Sequence, residues 1–388
     1  MSGHRLGDRN VIIEPPSPAA GEDKPEVRKR ERGKKHMMPP VNDAPPTLRE
    51  LQDMENRLIV LGLEVGQLRD EVGRLKAATT PRMPWKHWLR HQIKIGLGLD
   101  VQLGRLNFPG GPRALRVPAR YHRTPALVNP PLVSVVTPSY NQGSFLERTL
   151  ASVLDQNYPR LEYVVQDGGS TDQTRDVLAR FRDRLHHAEM RKDGGQSHAI
   201  NMGFARTSGD IMAYLNSDDI LLPGALHTVA RYFERHPAVD VVYGHRVVID
   251  QHGDETGRWV LPPHDAAALT WADYVPQETM FWRRRIWDKV GGIDESFRFA
   301  MDWDLILRFQ DAGATFHRLP RFLGAFRVHT SSKTTTVVNS TGVEEMTKLR
   351  RRCHGRDVTP QEVQNGLRRY YRRHVMCNRL YRLGLFRY

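Results

Sequence analysis

The residues best suited to chemistry in this sequence are aspartates that recur where predicted strands end. They are Asp167, Asp172, Asp193, Asp218, Asp219, Asp302 and Asp304. Carboxylates gathered at one edge repel one another unless a cation or a hydrogen-bond donor joins them. Oxygen ligands at a partly open site suit Mg²⁺ or Mn²⁺ shared with a substrate phosphate, so a nucleoside diphosphate is the expected ligand. A single aspartate after a strand is as often a turn former or helix N-cap, and the prediction therefore depends on the ordered set.

The segments around these aspartates alternate between buried strands and amphipathic helices. Strands are predicted within 132–141, 161–172, 208–221 and 239–250, and helices within 144–158, 174–185 and 223–237. This alternation predicts an α/β fold with a mostly parallel sheet and flanking helices. Ligands of such sheets bind at the carboxyl ends of the strands, where the polar, acidic turns of this sequence fall.

Several classes of protein are excluded or unsupported. The 388 residues contain only two cysteines, which excludes a disulfide scaffold and a multi-cysteine zinc site. No dinucleotide, P-loop or nucleophile-elbow motif occurs. No run of about 18 apolar residues occurs, so no transmembrane helix is predicted. The charged N-terminus is not followed by an apolar stretch, so no secretory signal is predicted. We therefore expect a cytoplasmic protein. The net charge of +14 predicts attraction to polyanions but does not choose among nucleic acid, anionic lipid and phosphorylated small molecules.

Four motifs in this sequence resemble those of family 2 glycosyltransferases, which have the GT-A fold. In chain order they are VSVVTPSYNQGSFLERTLASVLDQNYPRLEYVVQDGGSTDQT, DGGQSHAINMGFARTSGDIMAYLNSDDILLPGAL, PQETMFWRRRIWDKVGGIDESFRFAMDWDLILRF and FRVHTSSKT. They span about 131–335, for which the resemblance implies a Rossmann-like GT-A domain. The implied activity is transfer of a sugar from a nucleotide-diphosphate sugar to a saccharide or lipid-linked acceptor, in bacterial polysaccharide synthesis.

The resemblance also implies roles for the residues that bind the donor. Pro138 and Tyr140 match the turn that lines the nucleotide base. Asp167 matches the acid that pairs with a uracil or thymine ring edge, which favours a pyrimidine nucleotide. Asp193 and Asn201 lie in the segment that cradles the nucleotide-sugar.

The DXD metal motif of the family is represented by Asn216-Ser217-Asp218, followed by Asp219. An asparagine in the first position can still hydrogen-bond a ribose hydroxyl but brings no charge. Asp218 is therefore expected to be the main ligand of Mn²⁺ or Mg²⁺, with Asp219 as the nearest alternative. His329 matches a histidine that approaches the metal or the diphosphate.

Asp302 matches the catalytic base of the family, with Met301 in the place of the usual glutamate. A sugar hydroxyl is a poor nucleophile near neutral pH, and a carboxylate within hydrogen-bond reach can take its proton as attack proceeds. Direct displacement of the diphosphate would invert the anomeric centre.

The N-terminal third is predicted to consist of three different segments. Residues 1–46 form a basic, proline-rich tail that is expected to be disordered, and 79–130 form a basic linker or arm. Between them, 47–78 is predicted to form a coiled coil that makes a homo-oligomer through 51–75; a single amphipathic helix packed on its own domain is the alternative. Its apolar seam comprises Leu51, Met54, Leu58, Leu61, Val65, Leu68, Val72 and Leu75.

The C-terminal segment, 336–388, is predicted to be helical and basic, with seven arginines and no acid after residue 365. It could lie on an anionic membrane surface, which would make the protein peripheral at the inner membrane face. It could also bind nucleic acid or pack against the catalytic domain. Two other functions remain open: a catalytically weak relative that acts as a coiled-coil assembly scaffold, and a nucleic-acid-binding protein, which charge alone supports.

Overall fold

The structure, a computed structural model, describes residues 106–107, 111–124, 127–329 and 341–388. The predicted tail at 1–46 and the predicted coiled coil at 47–78 lie outside the described residues. So does most of the predicted arm at 79–130.

Ten strands form one sheet. They are β1 (Leu106–Asn107), β2 (Val133–Ser139), β3 (Leu161–Asp167), β4 (His187–Met190), β5 (Ile211–Tyr214), β6 (Ile220–Leu221), β7 (Val241–Ile249), β8 (Glu255–Trp259), β9 (Phe281–Arg283) and β10 (Phe316–Arg327). Their order is β1-β8-β7-β9-β5-β2-β3-β4, and β10 pairs with β7 and β6.

Nine α-helices accompany the sheet in the part of the chain that the structure describes. They are α1 (Gly143–Leu154), α2 (Thr174–Phe181), α3 (Gln196–Phe204), α4 (Ala225–Arg235), α5 (Ala266–Leu269), α6 (Arg284–Val290), α7 (Met301–Asp311), α8 (Val343–His354) and α9 (Pro360–Arg382). Helices α1, α2 and α4 fall where the apolar periodicity predicts them.

The sheet is mixed, so the expectation of a mostly parallel sheet is met only in part. Strands β2, β3, β4 and β5 pair in parallel, as do β7 and β10. Strand β9 lies antiparallel between β5 and β7, and β8 and β6 add further antiparallel pairs. Short strands such as β9 and β6 carry too few residues to show a period in the sequence. The mixed α/β sheet is consistent with the GT-A fold.

Helices cover both faces of the sheet. On β2, Val135 belongs to an apolar cluster with α1, α2 and α4, whereas Val136 belongs to a second cluster with α3, α6 and α7. Successive side chains of a strand point to opposite faces, so a strand buried on both faces reads as a continuous apolar run. That is why the adjacent Val135 and Val136 of β2 are both apolar.

The two C-terminal helices pack on the second cluster. Leu349 of α8 and Leu367 and Tyr370 of α9 are buried in it. Helix α9 begins with a capping box, in which Thr359 and Glu362 each bind the other's backbone N–H. Within the residues described, no helix is both long and apolar enough to cross a membrane.

Candidate active site

The carboxyl ends of β2, β3 and β5 meet at one edge of the sheet. Ser139 is paired with Asp167, and Val136 with Tyr214, so the turns that follow these strands are neighbours. The sequence predicts this convergence, since parallel strands end on the same side.

Asp167 is fully buried at the end of β3 and organises the turn that follows it. Its Oδ1 accepts hydrogen bonds from the backbone N–H groups of Gly169 (3.0 Å) and Ser170 (2.8 Å), and its Oδ2 accepts one from the Ser170 hydroxyl (2.6 Å). A carboxylate has about four acceptor positions, so about one remains on Oδ2. The residue therefore shapes the turn and keeps little capacity for a ligand.

Tyr140 and Asp193 lie on either side of Gly168. The Tyr140 side chain is 63% exposed, although large apolar rings are usually covered. A Cβ on Gly168 would lie 3.3 Å from the Tyr140 ring and 3.3 Å from both carboxylate oxygens of Asp193. The missing side chain thus leaves an open aromatic surface beside an acid. Pro138 is buried within β2, just before this surface.

Asn201 is fully engaged with the protein itself. Its Nδ2 donates to the carbonyl of Ile293 (2.9 Å) and to the carboxylate of Glu295 (2.9 Å), and its Oδ1 accepts from the Ile293 N–H (3.0 Å). The side chain thereby joins α3 to the turn that follows α6. The structure thus gives Asn201 a role in joining these two segments.

Asp218 and His329 form a pair at the end of β5. The Oδ2 of Asp218 lies 3.0 Å from the Nε2 of His329. Arg327, which is 1% exposed, donates from Nε to the Asp218 carbonyl (2.8 Å), and the His329 ring packs on Phe145 at 4.6 Å between ring centroids. We call Asp218 and His329 the metal corner. The sequence predicts both residues but not Arg327, which positions them.

The neighbouring Asp219 turns inward. It is 1% exposed, and its Oδ1 accepts from the Arg327 N–H (2.9 Å). Burial, together with the charges of Asp218 and Glu278, raises the pKa of Asp219 well above its ordinary value. Because it faces the interior, Asp219 is poorly placed to serve as the alternative metal ligand.

Asn216 belongs to a chain of side-chain amides across the strand-end edge. Its Oδ1 accepts from Gln196 (2.7 Å), and its Nδ2 lies 3.3 Å from the Gln277 Oε1 and 3.4 Å from the Asp219 Oδ2. Gln277 in turn donates to the carbonyl of Tyr214 (2.7 Å). Both N–H groups of Asn216 face acceptors, a task that an aspartate could not perform. The network explains physically why an amide stands in this position.

The metal corner suits a divalent cation that is shared with a substrate. A carboxylate oxygen and an imidazole nitrogen are both ligands of Mn²⁺, and Mg²⁺ and Mn²⁺ in nucleotide sites take few protein ligands and complete their shell with phosphate oxygens and water. Among the described residues, no group of three or more histidine, cysteine, aspartate or glutamate side chains is arranged to hold a metal. The two residues therefore fit a cation only together with a bound diphosphate.

Asp302 lies in the first turn of α7, where a negative charge is favourable. Its Oδ1 accepts from the N–H of Trp303 (2.9 Å). Asp273 is its acidic neighbour: burial and the charge of Asp302 raise the pKa of Asp273 well above its ordinary value. We call Asp302 with Asp273 the base corner.

Helix α8 holds the start of α7. The carboxylate of Glu345 accepts three backbone hydrogen bonds, from Arg298, Phe299 and Ala300, each of 2.8 Å. Farther along α8, Arg352 donates to Asp304, which is fully buried. Asp304 thus has a structural role and does not join the acids of the site.

The residues that support these two corners are not among those that the sequence predicts. They are Gln196, Gln277, Asp273, Glu345, and the ion pair of Arg246 with Glu278. Arg246 lies between the rings of Trp259 (5.1 Å) and Phe326 (4.6 Å). Gln196 occurs in the quoted DGGQSHAIN motif and Gln277 and Glu278 in the quoted PQETMFW motif, which are local signals; Asp273, Arg246 and Glu345 lie outside the quoted motifs.

Comparisons with known proteins identify the family of the chain. A family model described as Glycosyl transferase family 2 matches residues 134–293. The O-antigen biosynthesis protein RfbC of Myxococcus xanthus is 32% identical over 253 residues, which is 59% of this chain and 20% of RfbC. An uncharacterized glycosyltransferase of Mycobacterium tuberculosis, MT1564, is 31% identical over 187 residues, covering 47% of this chain and 70% of that protein.

Among solved structures, Staphylococcus aureus TarS 1–349 in complex with UDP-GlcNAc is similar with a TM-score of 0.49 and 18% identity. The match covers 63% of this chain and 73% of that one. This chain spans only a fifth of the length of RfbC, whereas it spans most of MT1564. The matched residues 134–293 include the turns after β2, β3 and β5. By these sequence matches, the chain belongs to glycosyl transferase family 2.

Proposed function

We propose that this protein is an inverting glycosyltransferase that moves a sugar from a nucleotide-diphosphate sugar to a saccharide or lipid-linked acceptor. The observation that carries the proposal is the pairing of Asp218 with His329 at the end of β5, on the same edge as the open surface at Tyr140. A nucleoside diphosphate needs both features: a cation or a hydrogen-bond donor for the charge of the diphosphate, and an aromatic surface for the ring of the base.

The base of the donor is proposed to stack on Tyr140, beside Gly168 and Asp193. A ring laid on an exposed aromatic side chain gains stacking energy with any base. The remaining acceptor position on Asp167 would take the imide N–H of uracil or thymine, which favours a pyrimidine.

The diphosphate is proposed to lie at the metal corner. Asp218 and His329 would hold Mn²⁺ or Mg²⁺, and such a cation neutralises charge on a leaving diphosphate. Both N–H groups of Asn216 face protein acceptors. To bind a hydroxyl group of the nucleotide-sugar, Asn216 therefore has only the second lone pair of its Oδ1. Asp218 then supplies the single carboxylate of this corner that faces the ligand.

Asp302 is proposed to be the general base. As the acceptor hydroxyl attacks the anomeric carbon, its proton passes to the Asp302 carboxylate. The bond from the anomeric carbon to the diphosphate breaks, and its electron pair leaves with the diphosphate. Glu345 would position Asp302 by fixing the backbone before α7.

The acceptor is proposed to belong to bacterial surface polysaccharide synthesis, in the cytoplasm. The names of relatives support this class: RfbC is an O-antigen biosynthesis protein, and a 42% identical segment of 92 residues lies in a putative teichuronic acid biosynthesis glycosyltransferase, TuaG, of Bacillus subtilis. The match covers 36% of TuaG, so the acceptor itself belongs to the proposal.

The experiment is thermal unfolding of the full chain with UDP, dTDP, GDP, ADP and CDP, each with and without Mn²⁺ or Mg²⁺. A ligand of the native state raises the melting temperature by mass action. We expect a metal-dependent rise with UDP or dTDP that is absent in Asp218→Ala. Asp183→Ala is the control, because this acid is exposed on the segment that follows α2. No rise with any nucleotide, or an equal rise in Asp218→Ala, would contradict the proposal.

A further inference from the structure

Helix α9 has two unlike faces. The inner face, Leu367, Tyr370, His374 and Cys377, is buried against the rest of the protein. Its spacing of three and four residues is that of one helix side. The sequence alone predicts that this apolar stripe could lie on lipid, but the structure uses it for packing.

The outer face of α9 and the residues after it are basic. Arg368, Arg369, Arg372, Arg379 and Arg382 are all exposed. After Glu362 no acidic residue occurs up to Tyr388. The positive charge is therefore not balanced by acids of its own segment.

Exposed aliphatic side chains lie among these arginines. Five large hydrophobic residues are exposed in the described part of the chain, and three of them are Met376 (54%), Leu383 (73%) and Leu385 (67%). Met376 and Leu383 are seven residues apart, hence on the same side of the helix as Arg372 and Arg379. We call these three residues with the five arginines the arginine face.

We propose that the arginine face is a docking surface for an anionic lipid bilayer. Arginines at such a surface bind lipid phosphates, and exposed aliphatic side chains enter the boundary between headgroups and acyl chains. The helix would lie along the membrane with its inner face still packed on the protein. This inference does not depend on the proposed transferase activity.

The positions of the aromatic residues favour lipid over nucleic acid. Binding of single-stranded nucleic acid uses outward aromatic rings on which bases stack. In this segment the rings turn inward: Tyr370 is 1% exposed, and Tyr381 and Tyr388 pack on Phe322, with ring centroids 5.7 and 6.4 Å from its own. What remains outside is guanidinium and aliphatic surface.

The test is sedimentation of the full chain with vesicles of phosphatidylglycerol and phosphatidylcholine, compared with phosphatidylcholine alone. The variant Arg368→Gln/Arg369→Gln/Arg372→Gln removes three charges from the arginine face. The control Arg120→Gln/Arg175→Gln/Arg182→Gln removes three charges from exposed residues elsewhere. Because both variants have the same net charge, binding through other basic segments contributes equally.

We expect the arginine-face variant to bind anionic vesicles roughly 100-fold more weakly than the control, at about fivefold per arginine. Met376→Ser/Leu383→Ser should weaken binding without changing its dependence on salt. Equal binding of the two triple variants at equal melting temperature would overturn the proposal. So would a variant that loses affinity for a single-stranded oligonucleotide but keeps its affinity for the vesicles.

Discussion

The metal corner and the base corner stand at the same edge of the sheet but are held by different parts of the chain. The turn of Asp218 is fixed from α1, where the Thr149 hydroxyl lies 2.8 Å from the Ser217 carbonyl and 2.7 Å from that of Asp219. The start of α7, which carries Asp302, is fixed from α8 by Glu345.

This difference predicts which part of the reaction a substitution at each corner should affect. The metal corner is held by the Arg327 guanidinium and by hydroxyl and amide groups next to strands of the central sheet. The base corner depends on one carboxylate that accepts three backbone hydrogen bonds, and an unmade bond to such a charged group costs about 1–3 kcal/mol. A substitution at the metal corner should therefore alter donor binding, and a substitution at the base corner should alter turnover.

The largest effect should come from Asp302→Asn. The amide cannot take the proton of the acceptor hydroxyl, so kcat should fall by about 10²- to 10⁴-fold. Nucleotide binding should change little, because Asp302 belongs to the base corner. The measurement is kcat together with the melting-temperature rise caused by the nucleotide; an equal loss of both would contradict the assignment.

Glu345→Gln should lower kcat by about tenfold while the donor KM stays nearly constant. The amide nitrogen of glutamine would face a backbone N–H where an acceptor is needed, so the backbone before α7 should shift. Glu344→Gln is the matched control, since Glu344 is exposed in the same helical turn. If kcat and KM of Glu345→Gln change in proportion, or if Glu344→Gln loses as much kcat as Glu345→Gln, then Glu345 only stabilises the fold and does not position Asp302.

Asn216→Asp should raise the donor KM by about tenfold and affect kcat less. The carboxylate would lose both donations, to Gln277 and to Asp219, and would add repulsion beside Asp218. Asn216→Ala removes the same hydrogen bonds without adding charge and should therefore be milder. An Asp variant with a lower KM and a stronger response to Mn²⁺ would show that the amide is not required.

The smallest effect concerns the dependence of stability on pH. The pKa of Asp273 is raised in the folded state, first by burial and then by Asp302. The folded state holds this proton more tightly than the unfolded state does. The resulting stability is complete below the unfolded pKa near 4 and is lost as pH rises through the folded pKa.

Asp273→Asn should remove this contribution. Urea unfolding between pH 4 and pH 8 should show a free energy of unfolding that falls less with pH in the variant than in the parent. Parallel curves would mean that Asp273 is ionised throughout in the folded protein.

Much of the donor side could be predicted from the sequence, because its signals are local. Buried apolar runs mark β2 and β3; Asp167 ends β3, and Asp218 lies in the turn between β5 and β6. The resemblance added His329, which the structure places 3.0 Å from Asp218. The predicted functions of these residues remain proposals.

In the base corner, only Asp302 could be predicted from the sequence. Glu345 is separated from the backbone that it binds by 45 to 47 residues, and no spacing rule links the two. For α9 the amphipathic pattern predicts a helix, but the pattern cannot say whether Leu367 and Tyr370 face protein or lipid. The neighbours that decide this lie in α5 and in the loop after it, where the Tyr274 ring packs on Tyr370 with ring centroids 4.2 Å apart.

The late position of Glu345 has a consequence for the nascent chain. As the polypeptide leaves the ribosome, strands β2 to β5 and the turns that carry Tyr140, Asp167 and Asp218 emerge well before residues 316–345. A domain generally folds as a unit during synthesis, so these turns wait for the later residues before the sheet is complete. His329, Arg327 and Glu345 follow later, so a partly made chain that lacks them cannot yet assemble the metal corner and the base corner.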